Sequence, residues 1–252
     1  MRATAIFSLC LLFLISCNFT NKDPSEVLKS ARKHVDNKEY AEALKDYKWF
    51  FENSTKIRSS MFGVKHSYCV DEWRKLGDLY KPALELYRAE ILKRKNRLIE
   101  GETNWDLFME FDALCEYDDK KNEVVEVFMA FDNDDQKMDF TKRIFSPIKE
   151  DLLSFGHIDI CSKYTTDPAR EAGHIIELHR LNVEFEKERA NTPENCSFAD
   201  TFYNDEAGYL LTVLKKSNRN DEFNKVKNIL QSYYFPDNLK QLILSLKKNE
   251  GA

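Results

Sequence analysis

Glycine and proline are scarce, 7 and 6 in 252 residues. That excludes a strand-rich fold, whose tight turns need these residues at frequent intervals. Basic charge is not in excess either. With 38 Lys and Arg against 43 Asp and Glu, the net charge is −5, so nothing draws the chain to nucleic acid or to anionic lipid. The short motifs that mark common chemistries are missing: no HExxH for zinc, no GxSxG nucleophile turn, no GxxxxGK[ST] or GxGxxG phosphate cradle, and no CxxC. What is present is a chain with 42% hydrophobic and 32% charged residues, a composition that folds rather than remaining disordered.

The N-terminus has its own character. Met1-Arg2 is followed by an uncharged, mostly apolar run of 13 residues from Ala3 to Ile15. A membrane-crossing helix needs about 20 such residues, so the run is short for that role and has the layout of a signal peptide. It ends in Leu14-Ile15-Ser16-Cys17, which resembles a bacterial lipobox. In that motif the cysteine thiol accepts a diacylglycerol, and the small residue before it fits the peptidase. The expectation is cleavage after residue 16, lipid attachment at Cys17, a tether over 17–23 and a helical domain over 24–252. An ordinary signal peptide, or a core helix with an incidental cysteine, is the alternative. Two acyl chains plus a third on the freed amine anchor firmly, where one alone binds marginally. Asn18 stands where an Asp would imply inner-membrane retention, so the resemblance implies the outer membrane. Losing Arg2 takes the net charge from −5 to −6, and 236 residues remain, enough for one large domain or two small ones.

Helix signals recur through those residues. Asp23-Pro24-Ser25-Glu26 combines an N-cap, a proline at the first helical position and a capping-box glutamate. Thr103 with Asp106, Asp167 with Pro168, and Ser197 with Asp200 mark further starts. Leu84, Tyr87, Ile91 and Leu98 share one helical face, as do Val124, Phe128 and Phe131, and Leu178, Leu181 and Phe185. The periodicity predicts helices near 24–36, 38–52, 58–79, 82–99, 104–117, 121–132, 135–154, 168–190, 198–217 and 220–233, with a weaker one at 237–247. The fold class is all-α.

Successive amphipathic helices with short loops pack as antiparallel hairpins. Trp73-x-x-Leu76-Gly77-x-x-Tyr80 matches the first half of the tetratricopeptide consensus, and Tyr40-x-x-Ala43-x-x-x-Tyr47-x-x-Phe50 the second. The glycine and alanine suit close helix approach, and the aromatics fill the space around it. The spacing departs from the consensus: Ala43 to Ala89 is 46 residues rather than the 34 of a regular repeat, Lys93 stands where an aromatic is wanted, and Pro82 starts the second helix early. The expected architecture is a degenerate tetratricopeptide-like α-solenoid, with a helical bundle as the alternative. Together with Glu39-Tyr40, Trp49-Phe50, Pro82-Ala83-Leu84 and the stretch from Leu152 to Tyr164, these segments resemble a family of uncharacterised bacterial helical-repeat proteins with a WxxLGxxYxPAL segment. The similarity runs from about 38 to 235. It implies a solenoid-like fold and no reaction.

Candidate chemistry is thin. His174 and His179 are five residues apart, about 140° around a helix, which is poor for sharing a metal. They are expected on the helix surface, while His34, His66 and His157 are isolated. Asp132-Asn133-Asp134-Asp135 opens like a calcium loop, but Lys137 and Arg143 occupy the positions that need glycine and glutamate. A solvated loop is expected there, and a wet basic face at Lys93–Arg97. Trp49, Trp73 and Trp105 are expected to pack rather than stack on ligands. Cys69, Cys115, Cys161 and Cys196, spaced 46, 46 and 35 residues apart, are either two disulfides or small buried hydrophobes. No catalytic, cofactor or metal residue is assigned; Cys17 is the one site residue. The expected partners are an unidentified protein or peptide and, through the lipid, a membrane. Three roles fit: a non-catalytic binding scaffold in the bacterial envelope, an immunity-type lipoprotein that neutralises a toxin, and an enzyme with a dispersed site.

Overall fold

The structure is a computed structural model and describes residues 22–189 and 197–248. Residues 1–16, Cys17, the rest of the tether up to Asn21, and Cys196 lie outside them, as does the side chain of Ser197. The described chain is all-α, with twelve helices and no strand among the described residues. No described helix is long and apolar enough to cross a membrane. By its internal packing the chain divides into two units, one up to Glu90 and one from Ile91.

In the first unit, α1 (Pro24–Asp36) starts as expected, with the Asp23 carboxylate accepting from the Ser25 N–H at 2.8 Å and Pro24 in the first turn. It stops at Lys38, which takes the left-handed conformation at φ 63°. α2 (Tyr40–Ile57) then returns along α1, burying Ala43, Tyr47, Phe50 and Phe51 against Val27, Leu28 and Ala31.

The span 58–79, expected as one helix, is built in pieces. A 3₁₀ turn at Ser59–Met61 and one α turn at Phe62–Val64 lead into a π-turn at Lys65–Cys69, and α3 (Val70–Leu79) follows. The wider π-turn shifts the helical register, so that Cys69, Val70 and Trp73 are fully buried.

α4 (Lys81–Ile99) packs on α3 as the sequence motif requires. A Cβ on Gly77 would stand 3.0 Å from the Leu84 Cβ and 3.1 Å from its Cα, tighter than nine in ten such contacts. Trp73 donates from Nε1 to the Ala83 carbonyl at 3.2 Å, and its ring meets Phe51 and Tyr87 edge-on at 5.8 and 5.5 Å. The expected face of Tyr87, Ile91 and Leu98 is buried, with Leu84 half-buried. The basic run is not a uniformly wet face. Arg94 is buried and pairs with Glu110 at 2.8 Å, Lys95 reaches Glu123 and Glu126, and Arg97 pairs with Glu102.

In the second unit, α5 (Trp105–Glu116), α6 (Lys121–Asp132), α7 (Met138–Ser154) and α8 (Ile158–Tyr164) each pack on the next. Phe108, Phe111, Phe128, Phe131, Ile144, Ile148 and Leu152 are buried here. The cap of α5 is Asn104, which accepts from the Leu107 N–H, rather than Thr103. The helix α8 was not expected. Gly156 ends α7 at φ 85°, and only Ile160 and Cys161 of the seven α8 residues are buried, too few to leave a period in the sequence.

α9 (Pro168–Arg189), α10 (Ser197–Lys216), α11 (Asn220–Tyr233) and α12 (Asp237–Lys248) surround a second core of Ala172, Ile175, Tyr203, Leu210, Leu214, Val226, Leu230, Leu239 and Ile243. α9 buries Ala172, Ile175 and His179, whereas Leu181 and Phe185, expected in the core, are 53% and 54% exposed. Cys69, Cys115 and Cys161 are free and buried, which favours packing over bridging for these three.

Candidate functional site

Along α10, Asn204, Gly208, Thr212 and Lys216 recur every fourth residue, a spacing that lays them in one ridge. The ridge carries no bulky apolar side chain, so α7 on one side and α12 on the other leave a groove above it. The groove holds about 590 Å³ and is lined by Glu150, Leu153 and Ser154 of α7, by the α10 ridge with Asp205 and Tyr209, and by Asn238, Leu239 and Leu242 of α12. Gly208 lowers the floor: a Cβ there would already meet Leu242 at 3.4 Å. Leu153, Gly208, Tyr209, Thr212, Leu239 and Leu242 form a buried to half-buried floor, and Glu150, Ser154, Asp205, Lys216 and Asn238 an exposed rim.

The charges of this neighbourhood are unevenly matched. Lys149 pairs with Glu206 and covers the Tyr209 ring at 4.8 Å, and Lys121 pairs with Asp151 at 3.1 Å. Glu150 and Asp205 have no such partner among the described residues. Burial raises the Glu150 carboxyl above its ordinary pKa; Lys149 eases that shift, and Glu206, Asp205 and Asp151 add to it. The Oδ1 of Asn204 is shielded from solvent with no hydrogen-bond partner. An apolar floor with unpaired acceptors on one side suits a ligand that brings its own donors.

The most elaborate polar cluster lies around His179, and it corrects the expectation of a surface histidine. The ring is 6% exposed. Its Nδ1 is 2.8 Å from the Tyr233 hydroxyl and its Nε2 is 3.0 Å from the Asp200 carboxylate. In the neutral imidazole this requires Nε2–H to donate to Asp200 and Nδ1 to accept from Tyr233. Tyr234 stacks on the ring at 5.7 Å and Tyr203 lies 4.8 Å away, donating its hydroxyl to the Tyr234 carbonyl. With both nitrogens engaged, the histidine joins α9, α10 and the end of α11. Asp200, read as a capping residue, is spent on this bond, and the first N–H groups of α10 are capped from α9, where Glu186 accepts from Phe198 and Ala199.

His174, by contrast, is exposed, so the two histidines are not brought together. Among the described residues, no group of three or more His, Cys, Asp and Glu is placed to hold a metal ion. The Asp132–Asp135 stretch joins α6 to α7, but it is not the solvated loop expected: Asp132 is the last residue of α6 and is buried. Asp134 caps Gln136, and Asp132 accepts from Lys163 at 2.7 Å and from the Tyr164 hydroxyl at 2.6 Å. Trp73 is a core residue, while Trp49 and Trp105 are half-buried under Lys22 and Arg143. Comparison with protein families, curated proteins and solved structures finds no match to this chain. Sequence reasoning missed the groove, although its signal, small or polar residues at every fourth position of an otherwise apolar helix, is legible once sought.

Proposed function

We propose that this chain is a bacterial envelope lipoprotein, cut before Cys17 and held at the outer membrane by acyl chains on that cysteine, and that it acts without catalysis as a helical-repeat scaffold for a protein or peptide. The leader and Leu14-Ile15-Ser16-Cys17 support the address. The groove along α10 supports binding, and it carries the reading. Its open apolar floor and charged rim form the kind of surface in which a short peptide or a helix buries one face. The polar cluster that most resembles catalytic machinery, Asp200–His179–Tyr233, has its hydrogen bonds spent on joining three helices.

A photo-crosslinking amino acid at Thr212, on the groove floor, tests this reading in cells. A discrete adduct that is absent when the same probe replaces the exposed Lys29, far along the chain on α1, is the expected result. Identical patterns from both positions, or no adduct from either across growth conditions, would defeat it.

A further inference from the structure

Resting on that reading, we propose that the occupant of the α10 groove is a short amphipathic segment of another protein that places one lysine or arginine between Glu150 and Asp205 and lays its apolar face on Leu153, Leu239 and Leu242. Three observations select this chemistry.

The first is length. From Asn204 to Lys216 the ridge spans three turns, about 18 Å at 1.5 Å per residue, which a helical segment of about twelve residues matches. Gly208, at the first turn of the ridge, lets that segment approach the α10 backbone.

The second is charge complementarity. The cations beside the groove are committed: Lys149 to Glu206, and Lys121 to Asp151 as well as to Asp112 and Glu116. The carboxylates left over are Glu150 on α7 and Asp205 on α10. Both line the groove, and the Asp205 charge adds to the rise of the Glu150 carboxyl above its ordinary value. A cation between them relieves that repulsion and gains two charge-assisted hydrogen bonds.

The third is the opposite end. Lys216 stands eleven residues, about 16 Å, beyond Asp205 and puts a positive charge on that rim. A uniformly basic segment is repelled there, while Glu150 and Asp205 repel a uniformly acidic one at the other end. The groove therefore selects one basic residue at a defined end rather than a basic stretch.

The test uses the full chain in detergent micelles and three fluorescent twelve-residue peptides with the same leucine face. They differ at one position near the start, which carries Lys, Gln or Glu. Fluorescence anisotropy should rank them Lys, then Gln, then Glu, with about three- to tenfold between Lys and Gln that shrinks as salt is added. In the Glu150→Gln/Asp205→Asn double variant, with helicity by circular dichroism unchanged, the three peptides should bind alike. Equal binding of all three to the native chain, or a Lys preference that survives in the variant, would overturn the charge assignment while leaving the scaffold reading intact. Absence of binding by every peptide would overturn this proposal, and the Thr212 crosslink then decides the scaffold reading separately.

Discussion

At Gly77 and Gly173 the same substitution has opposite consequences. Helix-interior glycine is ordinarily worse than alanine by about 0.5–1 kcal/mol. Gly173, with nothing within 4 Å of a hypothetical Cβ, should follow that rule, and Gly173→Ala should raise the melting temperature. Gly77 should not. Its Cβ would meet backbone and Cβ atoms of Leu84 that have no rotamer to yield, so Gly77→Ala should cost about 1–3 kcal/mol, and a lower denaturant midpoint with unchanged slope would record it. Glu171 gives a pH-dependent counterpart. Burial raises its carboxyl above the usual value, Lys149 eases the shift and Glu206 adds to it. Because the folded state holds the proton more tightly than the unfolded chain does, this residue's contribution to stability falls as pH rises from the unfolded value through the raised folded one. Glu171→Gln should therefore be more stable than the native chain at pH 7, and that advantage should vanish in thermal melts near pH 4.

At the scale of helices, His179 makes the strongest claim. Replacing it with leucine keeps the apolar contacts but leaves the Tyr233 hydroxyl and the Asp200 carboxylate without the ring nitrogens. The Asp200 carboxylate is 44% exposed and can turn to water, so the cost falls mainly on the Tyr233 hydroxyl, about 1–3 kcal/mol; His179→Leu should melt below the native chain, and amide protection should fall first in α9, α10 and α11. A melt coincident with the native one would mean that the cluster holds nothing together. The same helices show what a sequence can disclose. Val124, Phe128 and Phe131 were legible because their helix buries a regular stripe, and Gly77 because one close contact dictates one residue type. His179 was not, since its partners come from residues 200 and 233 and no local pattern announces them. Leu181 and Phe185 misled for a physical reason. They continue the apolar period of α9 in sequence, but the buried face of that helix is set by Ala172, Ile175 and His179, so Leu181 and Phe185 fall largely off it.

For the whole molecule, the sequence discloses the class of fold and supports the address proposed above, while the groove emerges only when α7, α10 and α12 are brought together. The proposed anchor has a direct measurement. Cells fed a labelled fatty acid should label the native chain, and Cys17→Ala should remove the label and shift the protein from the membrane to the soluble envelope fraction. Equal labelling of both forms would remove the address proposed for it.

The π-turn at Lys65–Cys69 amounts to one surplus residue in a helical rung. A regular helix advances about 100° per residue, so deleting one amino acid between Lys65 and Cys69 would not shorten the molecule so much as turn one side of it against the other. Either the indole of Trp73 would swing out of its slot between Phe51 and Tyr87, or everything before the bulge would rotate the other way. This short stretch therefore fixes the angular phase of the Trp73–Gly77 ridge, and a gap in it should undo that ridge.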